Sequence, residues 1–123
     1  MRSVHVLIAA AIVAFPPMAA AQDAQRGKAL FDQCSACHSF DPARNESGPH
    51  LNGLFGRKAA SVGDFVYSPP LRRADFVWTP ELLDKFLAEP QAPPFRGNRM
   101  PFASMPDAQA RADLIAYLKE ATR

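Results

Sequence analysis

Gln33-Cys34-Ser35-Ala36-Cys37-His38-Ser39 is the stretch on which the reading of this chain turns. Two thiols three positions apart lie on one turn of chain, the reach needed to form thioethers with the two vinyl groups of one porphyrin. The residue that follows them is then carried beneath the iron. The motif predicts covalent haem attachment through Cys34 and Cys37, with His38 as the proximal imidazole ligand. Other uses of the pair fit less well. A thioredoxin-like redox pair needs a β-α-β setting, and no strand-like alternation of useful length occurs. A zinc site needs two more ligands, and His50 is the only other histidine in residues 22–123, which hold no further cysteine. A disulfide closing so small a ring would contribute little stability.

Outward from the motif, Gly and Pro divide the chain into three helical stretches. The first covers about Ala24 to Gln33, with Leu30 and Phe31 on its apolar stripe, and runs into the cysteines. The second begins at Trp78-Thr79-Pro80-Glu81, where Thr79 can cap, Pro80 suits the first turn and Trp78 can staple onto Leu83. Leu82, Leu83, Phe86 and Leu87 repeat at helical spacing until Glu89-Pro90 ends the pattern. The third runs from about Pro106 to Ala121, with Leu114, Ile115, Tyr117 and Leu118 as its buried face. The segments between, 39–77 and 90–105, are long for structureless loops in a small domain. They make sense if they wrap a large apolar ligand that stands in for a core.

A sixth iron ligand is expected where haem only transfers electrons, and methionine opposite histidine is the usual choice. Met100 and Met105 are the candidates in residues 22–123. Met100 sits in Gly97-Asn98-Arg99-Met100-Pro101-Phe102, a loop able to fold over an open haem face. Met105 precedes Pro106 at the last helix and is expected to pack, as lone methionines commonly do. His50, after Pro49, reads as a loop histidine.

The 123 residues suit one domain. Residues 1–21 read as a cleaved secretory signal peptide: Met1-Arg2-Ser3, a mostly apolar run from Val4 to Phe15, Pro16-Pro17, and Ala19-Ala20-Ala21 at the cut. The apolar run is too short for the roughly 20 residues that span a bilayer, so no stable membrane insertion is expected once it is removed. Of the 14 Lys+Arg, only Arg2 lies in that segment, leaving 13 against 12 Asp+Glu in the domain 22–123. So near-neutral a balance gives nucleic-acid binding no support.

Four blocks together resemble the class I cytochromes c, the family of mitochondrial cytochrome c and its alphaproteobacterial relatives. They are Gly27 and Phe31 with Cys34-x-x-Cys37-His38; Gly48-Pro49-His50-Leu51-Asn52-Gly53-Leu54-Phe55-Gly56-Arg57; Trp78 through Pro90; and Asn98-Arg99-Met100-Pro101-Phe102 followed by Arg111 to Lys119. The similarity spans about residues 24 to 122. It implies an all-α fold of three main helices with long loops wrapped around one covalently bound haem. It further implies that the Pro49 carbonyl accepts a hydrogen bond from His38, that Arg57, Tyr67 and Trp78 hold a buried haem propionate, and that Met100 ligates the iron. By the same resemblance, Gly27 and Phe31 lie where the first helix crosses the last, and Phe102 lies beside the haem edge.

The implied function is a periplasmic monohaem electron carrier, monomeric, that docks redox proteins at its exposed haem edge. The alternatives are a dedicated electron-transfer subunit of a larger oxidoreductase, or a haem enzyme with a displaceable sixth ligand. The chain departs from the family at that edge: Gln33, Gln91 and Ala92 occupy positions where mitochondrial members carry lysines. The methionine side of the pocket is also expected to be drier than in those members, with Phe86, Leu71 and Asn98 where they place a tyrosine, an asparagine and a threonine.

Overall fold

The computed structural model describes residues 3, 10–16 and 21–123, so most of the expected signal segment lies outside the described residues. Four helices follow in order: α1 (Ala24–Ser35), α2 (Pro69–Arg73), α3 (Pro80–Ala88) and α4 (Ala108–Ala121). The described residues contain no strand; a single antiparallel bridge joins Lys58 to Val77. α4 packs on both α1 and α3, and long loops enclose the rest.

Each main helix starts at a side-chain cap. Asp23 accepts from the Gln25 and Arg26 N–H groups before α1, and Asp107 does the same for Gln109 and Ala110 before α4. Thr79 accepts from Leu82 N–H at 3.1 Å, with Pro80 in the first turn of α3. The last helix was expected from Pro106; it begins two residues later because Asp107 is its cap. The five-residue α2 was not expected. It carries too few residues for a periodic signal, and its start rests on Pro69 and Pro70, whose fixed φ suits a first turn.

α1 crosses α4 at Gly27. A Cβ there would lie 2.0 Å from the Asp113 carbonyl oxygen, so only glycine permits this approach. Phe31 packs on Tyr117 and stacks on Phe40 beside the crossing. Leu114, Ile115 and Leu118 are buried as the apolar pattern implies, whereas Tyr117 is half-buried. Asp113 is an unanticipated member of this interior, 1% exposed. Its Oδ1 accepts from Asp23 N–H and from the Gln109 side-chain amide, each at 2.8 Å, and Arg26 lies 3.8 Å from Oδ2. The buried acid thereby fastens the entrance of α1 to the middle of α4.

Trp78 does its packing on rings, with Phe86 at 5.5 Å and a parallel stack on Phe95 at 5.8 Å. Phe95, from the 90–105 segment, is 2% exposed and lies edge-on to Phe76 and Phe86 as well. The loop thus supplies core of its own, and together with the helices it encloses a cavity.

Candidate functional site

That cavity has a volume of about 230 Å³ and a mostly apolar lining, including Leu54, Leu71, Leu83, Phe86, Leu114 and Leu118. Cys34, Cys37, His38, Pro49, Arg57, Tyr67, Trp78 and Met100 all reach it, so every site residue expected from the sequence converges on one space. A smaller neighbouring space of about 70 Å³ shares both cysteines, His38 and Met100 and adds Gln33 and Phe102, which puts Phe102 at the cysteine side.

His38 is delivered by the end of α1. The Cys37 and His38 N–H groups both donate to the Cys34 carbonyl, turning the chain back beneath the helix. The imidazole Nδ1 lies 2.7 Å from the Pro49 carbonyl oxygen. A carbonyl can only accept, so Nδ1 carries the hydrogen and Nε2 keeps its lone pair for a metal. Burial lowers the His38 pKa more than the Pro49 contact raises it, with Arg57 lowering it further, and this favours the neutral, ligating ring. Gly48 forms the floor: a Cβ there would lie 2.5 Å from His38 Cε1. The two cysteines are not bonded to each other, and burial, then Cys37, raises the Cys34 thiol above its ordinary pKa.

The two methionines separate. Met100 lines the cavity, whereas Met105 is buried in the core and its N–H donates to the Leu87 carbonyl at 2.7 Å. His50 is half-buried and outside the cavity lining.

Polar donors gather along another part of the lining. Short antiparallel pairing, with Trp78 N–H donating to the Arg57 carbonyl at 2.9 Å, sets Arg57 beside Trp78. The Arg57 guanidinium donates to the His50 and Asn52 carbonyls, and burial lowers its pKa. Tyr67 is buried, which raises its pKa, and its oxygen accepts from Val62 N–H at 3.3 Å, leaving the phenol hydrogen uncommitted. Ser68 was not anticipated. It is 4% exposed, lines the same cavity, and its hydroxyl has no partner. Its neighbour Tyr67 was the available signal; a serine before two prolines reads otherwise as a helix cap.

An apolar slot with two thiols at one edge, a neutral imidazole below, a thioether in its lining and an orphaned hydroxyl beside an arginine and a phenol matches the chemistry of haem c. Such a group presents two vinyls, an iron and two carboxylates. Comparison with known proteins agrees. The cytochrome c family profile matches residues 24–122. This chain belongs to the cytochrome c family.

Among curated relatives, this cytochrome is 44% identical over 103 residues to cytochrome c2 of Blastochloris viridis, covering 83% of this chain and 80% of the relative. It is 40% identical over 100 residues to cytochrome c2 of Agrobacterium tumefaciens, covering 78% of this chain and 89% of the relative. Among solved structures it resembles cytochrome cH from Methylobacterium extorquens, with a TM-score of 0.72 and 35% identity over 80% of this chain and 98% of that one. The class I fold follows, and so does the cofactor, haem c held covalently through Cys34 and Cys37. This cytochrome is an electron-transfer protein, so the alternative of a haem enzyme with a displaceable ligand is set aside.

Proposed function

We propose that this cytochrome is a periplasmic, single-haem electron carrier whose iron is ligated by His38 and Met100. The observation that carries the ligand pair is the sorting of the methionines: Met100 shares a cavity with His38 and both cysteines, while Met105 is committed to the core. When bound, haem c supplies a one-electron couple between ferric and ferrous iron.

The protein's part is to hold a fixed environment around that couple. Pro49 fixes the imidazole ring through Nδ1 and makes it a better donor. Arg57, Tyr67, Ser68 and Trp78 supply positive charge and donors to the propionates, which would otherwise be buried unpaired at high cost. The apolar walls exclude water, and the presence of Phe86 and Leu71 beside Asn98 in the cavity lining supports a drier methionine side.

Residues 1–21 serve as the export signal, and the domain of 22–123 works as a monomer that meets redox proteins at the haem edge. Among the described residues, no helix is long and apolar enough to cross a membrane. The near-neutral charge and the missing lysines at Gln33, Gln91 and Ala92 support a second reading, a fixed subunit of a larger oxidoreductase, which copurification would reveal.

The test of the ligands is the far-red methionine-to-iron charge-transfer band of the ferric holoprotein. It is expected in the wild type and in Met105→Ala and is expected to vanish in Met100→Ala. Its persistence in Met100→Ala, or fast carbon monoxide binding by the native ferrous protein, would overturn the assignment.

A further inference from the structure

The segment that presents Met100 is a run of turns, closed by the Ala92, Phe95 and Asn98 N–H groups donating to the Glu89, Ala92 and Phe95 carbonyls, and two side-chain amides add to that backbone framework. The Asn98 Nδ2 group donates to the Pro90 carbonyl at 2.7 Å and to the Phe95 carbonyl at 3.0 Å, which uses both of its hydrogens. Its Oδ1 accepts from the Met100 N–H at 3.0 Å. Gln91 works on the same turn from outside: its Oε1 accepts from Gly97 N–H at 2.9 Å and its Nε2 donates to the Asn98 carbonyl at 3.2 Å. Gly97 has φ of +86°, and a Cβ on it would lie 2.8 Å from Pro70 Cγ, so the turn is also seated on α2.

We propose that Asn98 and Gln91 act as a clamp that positions Met100, keeping its thioether at the iron against competing ligands. The inference rests on Met100 being the sixth ligand. Five hydrogen bonds tie Pro90, Phe95, Gly97, Asn98 and Met100 into one unit, so the Met100 backbone cannot shift without breaking the bond from its own N–H to Asn98 Oδ1. Asn98 is the stronger half because it is half-buried, whereas Gln91 is exposed and its bonds compete with water. The clamp also accounts for why Asn98 offers no free polar atom hydrogen to a pocket water, since both amide hydrogens are taken by carbonyls.

The test is titration of the ferric holoprotein with imidazole, an exogenous ligand that must displace the methionine. Asn98→Ala is expected to bind imidazole about tenfold more tightly than the wild type, with Gln91→Ala between them. Asn98→Asp, which keeps the acceptor for Met100 N–H but has no amide donor, is expected to recover part of the difference. Amide exchange adds a local readout: Met100 N–H should lose protection in Asn98→Ala, and Gly97 N–H in Gln91→Ala. Thr79→Ala, which removes the α3 cap, serves as the stability control and should bind imidazole like the wild type.

Wild-type affinity in both Asn98→Ala and Gln91→Ala, with the charge-transfer band intact in the wild type, would overturn the clamp and leave Met100 as the ligand. An equal rise in Thr79→Ala would also overturn it, because the effect would then be general loosening. Should Asn98→Ala fail to fold, Gln91→Ala alone decides the question. Absence of the band in the wild type would overturn the ligand assignment and the clamp with it.

Discussion

The two sides of the haem cavity are built by different means. On the histidine side, α1 runs directly into the motif, two backbone N–H groups on the Cys34 carbonyl turn the chain, and one carbonyl, Pro49, holds the ring against Gly48. On the methionine side no regular element precedes Met100, and side-chain amides stitch the turn together while Phe95 anchors it in the core. A group placed by a helix end inherits the order of that helix. A group placed by a loop depends on the hydrogen bonds the loop makes within itself and on the few side chains, here Phe95 on Phe76, Trp78 and Phe86, that fasten it to the rest of the fold.

Haem removal is the harshest test of that comparison, because it strips both sides of their shared partner. A Cys34→Ala/Cys37→Ala chain made without haem is expected to lose its cooperative thermal transition, since loops wrapped around a cavity then enclose nothing. Calorimetry with near-ultraviolet circular dichroism checks this, and a sharp native-like transition would mean the loops stand without the cofactor.

Phe95→Ala asks how far the methionine side relies on its anchor. Removing this ring from contact with Phe76, Trp78 and Phe86 should cost about 3–5 kcal/mol in urea unfolding of the holoprotein. A loss below about 1 kcal/mol would show that the amide network, not the core, holds the loop.

Gly48→Ala probes the histidine side. The new methyl group must displace the His38 ring or the backbone beneath it, with an expected cost of about 1–3 kcal/mol and a weakened Pro49 contact visible in the imidazole proton resonances. A neutral result would show that the ring has room to move, and the contrast between the two sides would fade.

The smallest effect concerns the crossing that supports α1. Asp113 has its pKa lowered, chiefly by the hydrogen bond from Asp23 N–H; desolvation opposes this, and Gln109 and Arg26 add smaller lowering contributions. A lowered folded pKa means stability that is fully present above the ordinary carboxylate value of about 3.9 and is lost as the pH falls through the lower folded value. The stability advantage of the wild type over Asp113→Asn should therefore hold from neutral to mildly acid pH and shrink below about pH 4. A pH-independent difference would show that the carboxylate charge adds nothing at the crossing.

Sequence alone determined what depends on neighbours along the chain. The cysteine and histidine spacing, the Thr79 and Pro80 start of α3 and the apolar repeat of α4 each operate within a few residues, so local stereochemistry suffices to read them. Tertiary structure decided whatever needs a partner from elsewhere. Asp113 reads as an ordinary surface acid until the Asp23 amide, 90 positions away, closes on it. Ser68 reads as a cap until the cavity forms beside it, and Asn98, expected at the methionine side of the pocket, gains its hold on the Pro90 and Phe95 carbonyls only once the loop has folded. Loop context already separated Met100 from Met105 in the sequence, and the closed loop puts the first in the cavity lining and the second in the core. A buried polar group acquires its meaning from what it bonds, and those partners are not adjacent in the chain.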